Sequence, residues 1–152
     1  QQLSALPVQF LFRIIGNAAV GERMRVTGPM GGRYFSTSSA GGTVEGPSIK
    51  GRMLTGFAWG PHRMGESDMR HMHYDVRVLL LTDDGQHILM RYRGTNSPTY
   101  ADGSWRVGIV FEAEKGPYEW LNAIVAIGVG RKIGTDVEYR IFAVTPTHSD
   151  SD

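Results

Sequence analysis

The sequence predicts an all-β domain, an antiparallel sandwich or barrel. Three observations carry that expectation. Glycine and proline punctuate the chain about every ten residues, with 20 glycines and 7 prolines in 152 residues. The segments between them are rich in Val, Ile, Leu, Phe and Tyr, and none sustains a helical period. Asp83-Asp84-Gly85 lies between two extended apolar runs, which is a hairpin signature.

In chain order, Pro7–Ile15 reads as the first strand, because Phe10 and Phe12 alternate with Leu11 and Arg13, and Gly16-Asn17 ends it. Arg23–Val26 is a short strand broken at Gly28-Pro29, and Arg33–Ser36 follows Gly31-Gly32. The small-residue stretch from Ser36 to Gly42 reads as a flexible rim loop. Ser48–Trp59 is a strand in which Gly51 suggests a bulge, and Gly60-Pro61 closes it. Met69–Thr82 and Gln86–Arg93 form the hairpin. Arg106–Ala113 and Ala123–Val129 are further strands, separated by Gly116-Pro117 and one helical turn at Tyr118–Asn122. Tyr139–Val144 is the last strand. The glycine-rich piece Gly128–Gly134 lacks the following helix that a phosphate loop needs, so it reads as a hairpin turn. This gives about eight or nine strands in one domain, residues 1–152, with a core over 8–145 and a frayed tail at 146–152.

Composition excludes several functions. The chain has no cysteine, so disulfides, cysteine-ligated metals and thiol nucleophiles are absent. Sixteen basic against fifteen acidic residues leave +1, too little for a protein that tracks a nucleic-acid backbone. No segment is apolar enough for a helical membrane span. Pro7–Val20 lacks the basic start and uninterrupted apolar middle of a secretion signal, so a cytoplasmic location is the default expectation.

The hairpin allows faces to be assigned. A two-residue turn would set Asp75, Arg77, Leu79 and Leu81 on the same face as Ile88, Met90 and Tyr92. Asp75, Arg77 and Tyr92 would then point inward, and Val76–Leu80 would form an apolar outer face suited to a homodimer contact. A three-residue turn or a bulge would reverse the assignment. An inward Asp75 beside Arg77 is a buried ion pair, which is costly to keep and therefore hints at acid–base chemistry. Arg106, Gly108 and Glu112 share one face of a later strand. Glu112 in an apolar setting would suit proton transfer, and Gly108 leaves room for a ligand, although spacing alone favours solvent for Arg106 and Glu112. His71 and His73 share a face, but with Asp75 they span too far along one strand to converge on a metal. No metal or other cofactor is expected.

Several segments together resemble the family called domain of unknown function 3237. They are Gly42–Pro47, Lys50-Gly51, Asp75-x-Arg77 leading into Thr82–Gly85, Phe111-Glu112, Tyr118-x-Trp120-Leu121-Asn122 and Gly128-x-Gly130, in order, over about residues 8–145. The resemblance implies a calycin- or lipocalin-like barrel with a central cavity, often associated with aromatic or polyketide metabolism. It places Asp75, Arg77, Arg106, Glu112, Trp120 and Asn122 at the family's polar and aromatic positions. Gly56-Phe57-Ala58-Trp59 departs from the family's pattern by lacking an aspartate, which would make the pocket more apolar. The expectation is then a cofactor-independent lyase, isomerase or cyclase acting by proton transfer on a hydrophobic aromatic or phenolic molecule. Asp75, Arg77, Glu112 and Arg106 would be its catalytic groups; Tyr92, Trp59, Trp120, Asn122, Gly108 and Phe57 would line its site. The alternative is a non-catalytic carrier barrel.

Overall fold

The structure, a computed structural model, describes residues 5–17, 23–38, 41–62, 73–95 and 100–145. These hold ten strands: β1 (Val8–Asn17), β2 (Arg23–Gly28), β3 (Gly31–Ser38), β4 (Thr43–Glu45), β5 (Lys50–His62), β6 (His73–Thr82), β7 (His87–Thr95), β8 (Trp105–Ala113), β9 (Val125–Ile133) and β10 (Asp136–Val144). All neighbouring pairs are antiparallel. The order is β2-β3-β5-β4-β1-β10-β9-β8-β7-β6, and β6 also pairs with β5. That extra ladder closes an eight-stranded barrel, from which the β2–β3 hairpin extends along the upper half of β5. Among the described residues no helix is long and apolar enough to cross a membrane.

One end of the barrel is plugged. A short 3-10 turn, Glu119–Ala123, follows β8 and drives Leu121 fully into the core. The Asn122 side chain holds it there, accepting from the Ala113 amide at 2.7 Å and donating to the Ala113 carbonyl at 2.9 Å. Tyr118 donates to Asp84 on the β6–β7 turn at 2.9 Å, tying the plug to a second connection. Trp120 lies on the exposed side, its indole bonded to the Pro117 carbonyl. Asn122 and Trp120 therefore build the closed end and do not line a site at the opposite one.

Strand alternation fills the interior. Val76, Val78 and Leu80 of β6 face inward with Ile88 and Met90 of β7, Val107, Ile109 and Phe111 of β8, and Phe12, Ile14 and Ile141. This overturns the face assignment made from the hairpin. The β6–β7 loop has three residues, not two: the Thr82 amide bonds to the Gln86 carbonyl at 2.8 Å, and the Gly85 amide to the Thr82 carbonyl at 3.0 Å. Gly85 takes φ +88°, the left-handed position that closes such a loop. The odd loop length pairs Asp75 with Arg93, Arg77 with Arg91 and Val76 with Tyr92. Asp75 and Arg77 thus lie on the outer wall, and Val76–Leu80 contributes its valines and Leu80 to the core instead of an apolar outer face.

Other boundaries moved for local reasons. Gly51 is no bulge; the register shift falls between Met53 and Thr55. Gly51 instead permits close approach, since a Cβ there would stand 2.8 Å from the Thr82 Cα. Gly130 is not in a turn but inside β9, and the β9–β10 turn comes at Gly134, with φ +61°. The start of the expected hairpin, residues 69–72, lies outside the described residues, as does the tail from 146.

On the outer wall beside the β1–β10 ladder, Glu138 of β10 is completely buried beneath arginines. It bonds to Arg13 of β1 and, at 2.7 Å, to Arg131 of β9, with Arg140 at 3.4 Å. Burial alone would push its carboxyl up, but the hydrogen bonds and charges of Arg131 and Arg13 outweigh it and hold the pKa below the ordinary value. The stabilisation is therefore present above the ordinary glutamate pKa of 4.5 and is lost as pH falls through the lowered folded value. Glu138→Gln should lower stability at neutral pH by about 1–3 kcal/mol. Thermal melts from neutral to acid pH should show the gap from wild type narrowing as Glu138 protonates; a constant gap would refute the assignment.

Candidate functional site

The end opposite the plug is ringed by the last residues of β5, β7 and β9 and the first of β6, β8 and β10. Its inner wall is aromatic. Trp105 begins β8 on the same face as Val107, Ile109 and Phe111, and Tyr139 shares the inward face of β10 with Ile141 and Ala143. Both residues pair with Gly130 of β9. With no side chain between them, the Trp105 indole donates to the Tyr139 hydroxyl at 3.0 Å, the rings meeting edge-on at 6.0 Å. Tyr92 of β7 completes the group, its ring 5.2 Å from that of Tyr139 and its hydroxyl bonded to the Tyr139 oxygen. Burial pushes the Tyr139 phenol up, with the Trp105 and Tyr92 hydrogen bonds only partly offsetting it. The group stays a neutral phenol, a donor and acceptor inside an otherwise apolar wall. Tyr34 of β3 is also buried, over Gly60, with its hydroxyl donating to the His73 carbonyl at 3.1 Å.

Of the residues expected from sequence to line the site, only Tyr92 belongs to this inner group. The others are outside. Trp59 and Phe57 face outward on β5, paired with Asp75 and Arg77 of β6. Asp75 is surrounded by Arg93 at 3.3 Å and by Arg77 and Arg91 at 3.6 Å. Burial would raise its pKa, but these guanidiniums, Arg77 foremost, and the Trp59 indole hold its carboxyl below the ordinary range. Arg106 lies over the Tyr100 ring at 4.0 Å and donates to the Ser104 hydroxyl at 2.9 Å. Glu112 is exposed, and Gly108 faces open space on the outer wall. His73 is exposed at the rim, and His71 lies outside the described residues. Neither Asp75 nor Glu112 shares the face of the inner phenols, because in each strand they occupy the opposite parity to the core residues.

Trp105 and Tyr139 were not among the sequence-derived candidates. The signal that could have found them is the alternation Trp105, Val107, Ile109, Phe111, together with Tyr139, Ile141, Ala143, which places both rings inside once the strand limits are known.

The fold and the inner aromatic group define a closed antiparallel barrel with one plugged end and a phenol–indole cluster near the other. The chain belongs to the family described as protein of unknown function DUF3237, whose model matches residues 7–144. Among solved structures it is similar to a beta-barrel like protein from Acinetobacter baumannii AYE, at 27% identity over 95% of this chain and 100% of that one, TM-score 0.72. A conserved protein of unknown function from Rhodopseudomonas palustris shares the fold at 18% identity, 94% and 100% coverage and TM-score 0.76. So does an enzyme from Penicillium herquei, at 20% identity, 93% and 98% coverage and TM-score 0.69. No curated protein matches the chain.

The Trp105–Tyr139 contact depends on the bare backbone at Gly130. A Cβ there would stand 2.7 Å from the Tyr139 ring and closer still to the Trp105 indole. Gly130→Ala should cost about 1–3 kcal/mol from overpacking, a fall of very roughly 2–12 °C in Tm. Near-ultraviolet circular dichroism should change with it, as both rings are displaced; an unchanged melt would show that the pair has more room than this packing allows.

Proposed function

We propose that the protein is a cofactor-independent enzyme that admits a hydrophobic aromatic or phenolic small molecule at the open end of its barrel and moves a proton on it. One observation carries this: a half-buried, neutral Tyr139 phenol stands inside the barrel, oriented by the Trp105 indole and the Tyr92 hydroxyl. A fixed phenol in an apolar wall donates strongly to an oxygen that gains negative charge, such as an enolate or phenolate, because no water competes for it. Indole and neighbouring phenol fix its position before the substrate arrives, so little reorganisation accompanies the proton shift. Lyase, isomerase and cyclase reactions that pass through an enolate fit this group. The likeness in fold to the Penicillium herquei enzyme is in keeping with an enzyme. In this proposal Tyr139 lends its proton to the oxygen as the enolate forms and takes it back as carbon is reprotonated, the carbon-bound proton passing to and from solvent, while Asp75 and Glu112 face outward, away from a ligand in the lumen.

The test is a time course by mass spectrometry in D2O with phenols, aromatic ketones and phenolic enones. Wild-type protein should convert one of them or exchange deuterium into a position next to its carbonyl. Tyr139→Phe, folded by circular dichroism, should lose about 10²–10³-fold of that rate, the typical effect of removing one oxyanion donor. Saturable binding with neither conversion nor exchange would make the barrel a carrier and overturn the proposal.

A further inference from the structure

Two clusters of identical make-up sit on the outer wall, half a turn apart around the barrel. Each sets three arginines about one carboxylate: Arg13, Arg131 and Arg140 about Glu138, and Arg77, Arg91 and Arg93 about Asp75. Each carries a net charge near +2. They differ in how far the charges are satisfied. Both Glu138 oxygens accept hydrogen bonds from arginine. At the other cluster, Asp75 Oδ1 and Arg91 Nε are buried and make no hydrogen bond among the described residues. One carboxylate is too little for three guanidiniums, each of which offers five N–H donors.

The Asp75 cluster has a depression beside it. A hollow of about 360 Å³ is bounded by Trp59, Gly60, Pro61, His73, Asp75, Arg93, Gly94 and Thr95. Trp59 is 52% exposed, and its neighbour in the outer row is Asp75. Next in that row come Arg93, 67% exposed, and then the bare Gly108, so the directly paired position of β8 sets no side chain against the Arg93 guanidinium. A flat apolar surface therefore stands across from an accessible guanidinium, with the His73 and Thr95 side chains at the rim. Asp75 does not repel an anion here, because three guanidiniums already outweigh it and it serves to hold them in place.

We propose that this outer depression binds a small planar aromatic carboxylate, its ring against Trp59 and its carboxylate on Arg93. The chemistry selects that class. Guanidinium and carboxylate are matching planar forks, an exposed indole stacks on an aromatic ring, and the volume suits a one- or two-ring molecule. The site is separate from the phenols of the lumen, since its side chains lie on the outer face of β5, β6 and β7, whereas Tyr92, Trp105 and Tyr139 lie on the inner face of β7, β8 and β10.

Isothermal titration with 2-naphthoate tests it, against 2-naphthamide, which lacks the charge, and acetate, which lacks the ring. Naphthoate should bind at one site per chain, naphthamide about tenfold or more weakly for loss of the charge-assisted contact, and acetate about tenfold or more weakly for loss of the ring's stacking and burial. Trp59→Ala and Arg93→Gln should each weaken naphthoate by about tenfold with melting little changed, since both side chains are largely exposed. Arg140→Gln, in the opposite cluster, and Tyr139→Phe, in the lumen, should leave it unaltered. Equal binding of naphthoate and naphthamide would overturn the site, as would loss of binding in Tyr139→Phe but not Arg93→Gln, or an equal loss in Arg140→Gln. None of these outcomes bears on whether Tyr139 moves a proton.

Discussion

Closure of the sheet between β5 and β6 is the constraint on which the rest depends. Eight strands share one inner face only because the two ends of the ladder meet, and they meet tightly. Gly51 lies against the backbone of Leu81 and Thr82, where no side chain would fit. The three-residue turn at Asp83–Gly85 then sends β7 back in a register that turns the valines of β6 toward the axis. Shift either feature by one residue and the core side chains would change places with the charged ones.

The barrel divides its polar chemistry between its two surfaces. Ions stay outside, where arginine stems lie along the wall and their heads keep contact with water. Inside, among the described residues, the strongly polar side chains near the end opposite the plug are phenols and an indole, which carry hydrogen-bonding capacity without a charge to desolvate. Glycines on the inner face make this possible. Gly60, Gly128 and Gly130 lie beneath the rings of Tyr34 and Tyr139, so that aromatic side chains occupy the space their own Cβ atoms would have needed.

Much of this was legible in the sequence because it is local. Alternation marked most of the strands, Asp83-Asp84-Gly85 marked the hairpin, and the Tyr118–Asn122 piece is the 3-10 turn its composition suggested. β4, at three residues, is too short to show a period. The parity of β6 was not legible, because an Asp-Asp-Gly sequence suits loops of more than one length and the difference of one residue reverses every face. The expected two-residue turn puts Tyr92, Ile88 and Met90 inward, as they are, yet the same step turns Asp75, Arg77, Leu79 and Leu81 to the wrong surface. The pairing of Trp105 with Tyr139, 34 residues apart across β9, depends on a register that no local pattern encodes.

The first and last strands are clasped where they leave the barrel. The Thr145 amide and hydroxyl both reach the Pro7 carbonyl at 3.2 Å. Val8 and Val144 stand side by side in the ladder, on the plugged side. The chain therefore enters the first strand and leaves the last at the sealed base. The clasp of the outermost strands and the phenol–indole group lie at opposite ends of the barrel, so that the seam holding the chain's two described ends is remote from the rings.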